Sequence, residues 1–249
     1  MGRFATTVPL YARFRPPYPD AFFRTVAERL SLSKQHALID LGTGPGLLAL
    51  GFAPYVGRIV GVDPEPAMIA AAKDAAARAG AAFKLIEGRA EELPRELGSF
   101  DVVTIGRALH WMDRAALAAL FDRLVAPNGA IVVCSARSAA GGRNPWLDAY
   151  NEGRRFWSGT DGGERYRKGI AAVVGGTRFH LAETIEVESC HKMTARDLAQ
   201  RVLTFSTSSR QVLGDKVDAM LADVEQRMQP FGRDGLITEI VVSKAEIAR

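Results

Sequence analysis

An apolar run that ends in three glycines at alternate positions constrains this chain more than any other feature: Leu38-Ile39-Asp40-Leu41-Gly42-Thr43-Gly44-Pro45-Gly46. A second apolar run, Ile59-Val60-Gly61-Val62, ends at Asp63. A strand, a turn almost without side chains, a helix and a second strand tipped by an acid make a βαβ unit that receives a nucleoside. Glycine lets the backbone approach the ligand, and the acid accepts ribose hydroxyls. Asp63 lies 21 positions after Gly42 and 17 after Gly46, near the roughly 20-residue offset that such an acid keeps. An acid at this place also suits a helix cap, here ahead of Pro64 and Pro66.

Spacing bears on which nucleoside is bound. A dinucleotide fingerprint reads G-x-G-x-x-G and sets a pyrophosphate on the helix N-terminus. Here the series is Gly42-x-Gly44-x-Gly46, and Leu47 stands where the last glycine would fall. Asp40, two residues before the first glycine, would repel a pyrophosphate but suits a ligand with an ammonium group. S-adenosylmethionine carries an ammonium and a sulfonium and no phosphate. The spacing therefore favours a phosphate-free adenosyl pocket over a dinucleotide site or a glycine-rich turn without a ligand.

Asp40-Leu41-Gly42-Thr43-Gly44-Pro45-Gly46 resembles the first motif of class I S-adenosylmethionine-dependent methyltransferases, and further pieces follow in order. Gly88-Arg89-Ala90-Glu91-Glu92-Leu93-Pro94 is similar to the stretch after strand three, whose Ala-Glu pair borders the adenine. The segment from Phe100 to Ile105, with Ala108-Leu109-His110-Trp111 after it, resembles the fourth strand and its active-site loop. Val125-Ala126-Pro127-Asn128-Gly129 approximates the turn before strand five. Upstream, Tyr11-Ala12-Arg13-Phe14-Arg15-Pro16-Pro17-Tyr18-Pro19 is similar to the opening of a subgroup that includes trans-aconitate methyltransferase relatives. Together these pieces span residues 11–135, about half of the chain.

The resemblance implies a fold and a set of roles. The fold is α/β and Rossmann-like: a mostly parallel seven-stranded sheet with an antiparallel last strand and helices on both faces. The cofactor is S-adenosyl-L-methionine, with S-adenosyl-L-homocysteine as product. Asp63 is expected on the ribose hydroxyls, Gly42, Gly44 and Gly46 beside the methionine portion, and Asp40 on its amino group, directly or through water. Tyr11 or Arg15 would close over the cofactor carboxylate. Ala90 and Glu91 would read the adenine edge, and Met68 would pack on the ring or in the core.

Arg107 joins this cofactor-binding set. It departs from the family's small or amide residue and, with Arg154 or Arg155, is expected to pair with an anionic substrate group. His110 is the catalytic candidate, as base or as substrate orienter, because imidazole takes a proton near neutral pH. Trp111, Trp146, Tyr150 and Trp157 complete the expected substrate site.

Composition narrows the class. At 249 residues and 47% hydrophobic, the chain has enough apolar material for one α/β domain. We expect an N-terminal lid of about residues 1–30, a cofactor core of about 31–140 and a substrate cap of about 141–180. No run of about 18 apolar residues suggests a membrane span, and the first eight residues lack an apolar signal core. Cys134 and Cys190 have no metal-ligand spacing, so no metal site is expected and a cytoplasmic location is. The net charge of +4 comes from arginines interleaved with acids, which suits a solvated surface better than a nucleic-acid stripe. The expected assembly is a monomer or homodimer.

Periodicity places helices at 19–30, 47–55, 66–79 and 113–125, and strands at 37–41, 58–63, 82–87, 100–105 and 129–135. Later come a helix carrying Trp146, Tyr150 and Trp157, a strand at 181–187, a helix from the Thr194–Asp197 capping box to about 205, a helix at 215–228 and a strand at 236–242. No Asn-Pro-Pro-Tyr or Asp-Pro-Pro-Tyr follows strand four, Cys134 follows no proline, and neither a carboxylate pair nor a double-Glu loop is present after Ile105. Base-amino, pyrimidine-C5, catechol and protein-arginine methylation are thereby disfavoured. The reading that remains is methyl transfer to oxygen or nitrogen of a small metabolite. The alternative is a regulatory module or a non-methylating catalyst that binds the same cofactor.

Overall fold

The computed structural model describes residues 8–160 and 169–249. Seven residues of the expected lid, and 161–168 of the expected cap, lie outside them. The strands are β1 (Ala37–Leu41), β2 (Arg58–Asp63), β3 (Lys84–Glu87), β4 (Phe100–Gly106), β5 (Val125–Ser138), β6 (Leu181–Met193) and β7 (Ile237–Ala248), in the sheet order β3-β2-β1-β4-β5-β7-β6. The helices are α1 (Val8–Phe14), α2 (Asp20–Arg29), α3 (Leu47–Phe52), α4 (Pro66–Arg78), α5 (Arg114–Leu124), α6 (Leu147–Ser158), α7 (Ala171–Val174), α8 (Ala195–Val202), α9 (Arg210–Leu213) and α10 (Val217–Met228). The first five strands pair in parallel, and β7 enters antiparallel. The mutual bonds of His180 and Arg249, 2.9 and 3.1 Å, join the start of β6 to the end of β7 in that sense. The expected class I architecture is what the chain adopts.

Local chemistry explains where the elements begin and end. Asp113 caps α5 by accepting from the Ala116 N–H at 2.8 Å, and Thr194 with Asp197 forms the capping box of α8. Pro66 opens α4, and Gly80, at φ 61°, follows its last turn. Other bounds differ from the periodicity. α3 stops at Phe52, whereas β5, β6 and β7 all run longer than expected. The register of β5 on β4 slips between Phe100 and Val102, so Phe100 already pairs with Val125. α1 had no counterpart among the expected helices.

The chain forms two compact units. The first comprises Tyr18–Ser135 with Glu164–Val187 and Ser243–Arg249; the second comprises Met1–Pro17, Ala136–Gly163 and Glu188–Val242, within the residues described. In the first unit, alternation along the strands builds a core on each face of the sheet. Ile39, Val103 and Ile131 pack with Leu117, Phe121 and Leu124, while Leu38, Val102 and Val132 pack with Phe22, Leu48 and Phe52. The second unit has its own core, in which Trp146, Leu198, Val202, Met220 and Val224 are buried.

Candidate functional site

At the carboxyl end of β1 the chain turns through Gly42, Gly44 and Gly46 at φ 69°, 53° and 84°. A side chain is strained in that left-handed region. At Gly42 it would also collide, since a Cβ there would stand 2.4 Å from the Ala108 Cβ. The turn thus packs directly against the loop that follows β4. At Gly44 the nearest atom to such a Cβ is the Met68 Sδ, at 3.9 Å, an ordinary van der Waals contact.

Asp63, at the tip of β2, accepts the Gly44 N–H on Oδ2 at 2.8 Å and the Glu65 N–H on Oδ1 at 3.0 Å. Burial raises its pKa, and those two bonds oppose the rise. An ionised carboxylate offers about four acceptor positions, so each oxygen keeps capacity for a hydroxyl. The first residue ahead of α4 is Glu65; Asp63 braces the turn and does not cap the helix.

Asp40 lies beneath the same turn, 1% exposed. Its Oδ2 accepts the Thr43 hydroxyl and its Oδ1 the Thr104 hydroxyl, both at 2.8 Å. Burial pushes its pKa up to about 6, against the pull of those hydroxyls, and the neighbouring Asp63 charge adds to the rise. Thr43 and Thr104 were not among the expected site residues. Asp40 and Thr104 are opposed in the β1–β4 register, a pairing across 64 positions that no local pattern carries.

The adenine-side candidates are engaged with protein. Ala90 and Met68 are buried. The Glu91 Oε1 accepts the Asp113 N–H at 2.9 Å and meets Arg89 at 3.3 Å, tying this turn to the start of α5. Beyond β4, Arg107 adopts φ 58°, a rare setting for a side-chain-bearing residue that costs about 1–3 kcal/mol and clusters at functional loops. Its N–H donates to the Cys134 carbonyl at 3.3 Å, and its guanidinium lies 4.9 Å from the Tyr18 ring centroid. His110 is half-buried, with its ring 4.8 Å from that of Trp111, which is 38% exposed. Burial drives the Cys134 thiol pKa well up, so it is a poor nucleophile.

Asp40, Gly42, Gly44, Asp63 and Met68 thus meet around one turn, and Arg107, His110 and Trp111 share one loop. The remaining candidates belong to the second unit. Arg15 donates to the Thr204 carbonyl at 3.0 Å and lies over Phe205 at 4.0 Å and Tyr11 at 5.1 Å. Trp157 donates to Asp223 at 2.8 Å. Trp146 corrects the sequence reading: it is 1% exposed, its ring packs edge-on against Tyr150, and its indole N–H donates to the Thr238 carbonyl at 2.9 Å. It is a core residue with no face for a substrate. Arg154 lies over Phe205 at 4.9 Å.

Comparison with known proteins agrees with this geometry. Residues 39–133 match the family model described as a methyltransferase domain. An uncharacterized methyltransferase of Schizosaccharomyces pombe is 39% identical over 93 residues, 36% of this chain and 34% of that protein. The chain spans about half, or less, of the length of the curated relatives it matches. Among solved structures, one from Anaeromyxobacter dehalogenans described as a type II methyltransferase superposes with TM-score 0.66 at 22% identity, covering 94% of this chain and 97% of that one. A Geobacter sulfurreducens methyltransferase solved with S-adenosylhomocysteine gives TM-score 0.57 at 16% identity, covering 98% and 97%. The fold is that of class I S-adenosylmethionine-dependent methyltransferases, and residues 39–133 are similar to the methyltransferase-domain family. The segment that carries the match, residues 39–133, holds the glycine turn, Asp63 and the loop with His110.

Proposed function

We propose that this protein transfers the methyl group of S-adenosylmethionine to an oxygen or nitrogen of a small-molecule metabolite, by in-line displacement. The observation that carries the reading is the positive-φ glycine turn pinned at the Gly44 N–H to Asp63, a carboxylate with acceptor capacity left for a diol. That arrangement fits an adenosyl group, and Asp40 beneath it suits the amino group of the methionine portion better than a phosphate. Asp63 holds the ribose, Gly42 and Gly44 bring backbone beside the methionine portion, and Ala90, Glu91 and Met68 border the adenine. When bound, S-adenosylmethionine supplies a methyl already activated by its sulfonium.

The work left to the protein is alignment. Holding acceptor and methyl about 3–3.5 Å apart, in line, supplies much of the rate as effective molarity. His110 orients the acceptor or takes its proton, and the pH profile of His110→Gln separates these roles. Arg107 and Trp111 flank it on the same loop. The opening segment at 11–19 supports placement in the trans-aconitate methyltransferase-like subgroup. Arginines interleaved with acids argue against a nucleic-acid acceptor, and two free cysteines suit the cytoplasm. Among the described residues no helix is long and apolar enough to cross a membrane.

The test has two arms. Calorimetry should give binding heat with S-adenosylhomocysteine, and labelled methyl should pass from S-adenosylmethionine into a metabolite pool with release of S-adenosylhomocysteine. Binding without turnover would instead mark a cofactor-binding module, and no binding by folded, ligand-free protein would end the proposal.

A further inference from the structure

One buried hydroxyl stands where the sheet would favour a hydrocarbon. β4 is paired by β1 on one side and by β5 on the other, a setting that selects apolar side chains on both faces. Val102, Val103 and Ile105 follow that rule, and Thr104, 0% exposed among them, does not. A buried hydroxyl of this kind is tolerated where it has a partner. Here the partner is Asp40, opposite it in the β1–β4 register. The Thr104 hydroxyl donates to the Asp40 Oδ1 at 2.8 Å and lies 3.4 Å from the Ile39 carbonyl.

Those two contacts let one side chain serve both protonation states of the acid. A hydroxyl donates one hydrogen and accepts through two lone pairs. With Asp40 ionised, Thr104 donates to Oδ1. When Oδ1 takes a proton from solvent, the carboxyl O–H donates to the Thr104 Oγ1, and the threonine hydrogen turns to the Ile39 carbonyl. Thr43 holds the other oxygen, Oδ2, at 2.8 Å, but it belongs to the glycine turn, whereas Thr104 is fixed within the sheet. Around the acid stand Asp63 of β2, whose charge opposes ionisation of Asp40, and the Ala49 N–H of α3, which favours it. α3 itself carries no titratable side chain. On β5, burial pushes the Cys134 thiol well up while the Arg107 guanidinium draws it back, and the thiol stays neutral where Asp40 titrates.

We propose that Thr104 is a positioning residue for the cofactor: through this two-way bond it fixes the Asp40 carboxyl beneath the glycine turn and sets whether a charge stands there for the ammonium of the methionine portion. The ammonium half rests on the function proposed above; the bond to Asp40 does not. A hydrogen bond donated to a carboxylate favours its ionised form, so without the Thr104 hydroxyl burial raises Asp40 further. S-adenosylhomocysteine carries the ammonium and adenosine lacks it. The two ligands therefore separate the pull of Asp40 from that of Asp63 on the ribose.

The experiment follows the Asp40 carboxyl of the unliganded full chain by carbon NMR across its titration, with Asp40→Asn assigning the signal. The wild type should titrate at about 6. Thr104→Val should titrate about one unit higher or more, the loss of one bond to a charged group. Thr104→Ala should move with it, and Thr104→Ser, which keeps the hydroxyl, should stay near the wild type. Calorimetry supplies the second readout. Between about pH 7.5 and about pH 5 the wild-type affinity for S-adenosylhomocysteine should fall up to about tenfold further than that for adenosine. Thr104→Val should weaken S-adenosylhomocysteine about two- to tenfold at about pH 7 and recover by about pH 8.5, whereas a merely structural defect would persist at every pH. An Asp40 midpoint unmoved by Thr104→Val overturns the inference. So does a Thr104→Ser shift as large as that of Thr104→Val, since packing and not the hydroxyl would then be at work. Equal weakening of S-adenosylhomocysteine and adenosine as pH falls would separate the ammonium from Asp40 and overturn the cofactor half. Absence of S-adenosylhomocysteine binding at every pH would remove the methyl-transfer reading, while the carboxyl titration still decides what Thr104 does.

Discussion

Asp40 holds up the glycine turn at the cost of being an acid out of water. Its pKa stands at about 6 against an ordinary 3.8 because burial outweighs the two threonine hydroxyls. Between those values the folded chain binds more protons than the unfolded one, so stability falls as pH rises from about 4 to about 6 and then levels off. At about 1.4 kcal/mol for each pH unit of difference, the descent amounts to about 3 kcal/mol. Asp40→Asn should flatten that part of the profile in urea unfolding measured from pH 4 to 7, and an unchanged slope would show that the acid is not responsible. Asp63 has a different job, because its acceptor capacity extends past the two N–H groups it holds. Asp63→Ala removes the proposed ribose contact and releases Gly44 as well. S-adenosylhomocysteine affinity measured by calorimetry should drop about 100-fold, as expected when two bonds to a charged acceptor are lost.

At the level of elements, steric fit overrides propensity in α3. Alanine is the better helix former than glycine by about 1 kcal/mol, yet a Cβ on Gly51 would lie 2.0 Å from the Phe23 ring of α2. Phe23 is 5% exposed and wedged edge-on against Phe52 at 5.1 Å, so it has no room to yield. Gly51→Ala should therefore destabilise by about 1–3 kcal/mol, as overpacking does, read as a lower urea midpoint. A rise would mean that the α2–α3 contact is looser than this packing.

Elements announced by local chemistry were legible in the sequence. Asp113, the Thr194–Asp197 box, and Pro66 with Gly80 all act within one turn of their helices, and the β1 turn with Asp63 is a short-range pattern. What escaped depends on distant partners. The lengths of β5, β6 and β7 follow from pairing with each other, and the burial of Trp146 from a carbonyl 92 positions away. Thr104 meets Asp40 only when β4 lies beside β1. Arg107 gives no warning of its left-handed backbone, since asparagine or glycine is the usual signal there.

For the molecule as a whole, the glycine turn with Asp40, Asp63 at the tip of β2, and Thr104 of β4 are separated in the unfolded chain and meet only when β1, β2 and β4 are paired. A ligand that needs them together binds the folded state and not the unfolded one, and stabilises it by mass action. With S-adenosylhomocysteine at 100 times its Kd the gain is about 2.7 kcal/mol. For a chain of 249 residues, where each kcal/mol moves Tm by about 2–4 °C, the midpoint should rise about 5–11 °C. NADH at the same concentration should leave it unmoved, because Leu47 replaces the glycine of a dinucleotide turn and Asp40 opposes a pyrophosphate. A thermal scan with both ligands separates the two readings of the first crossover in one measurement: a shift with NADH and none with S-adenosylhomocysteine would return the site to the dinucleotide class.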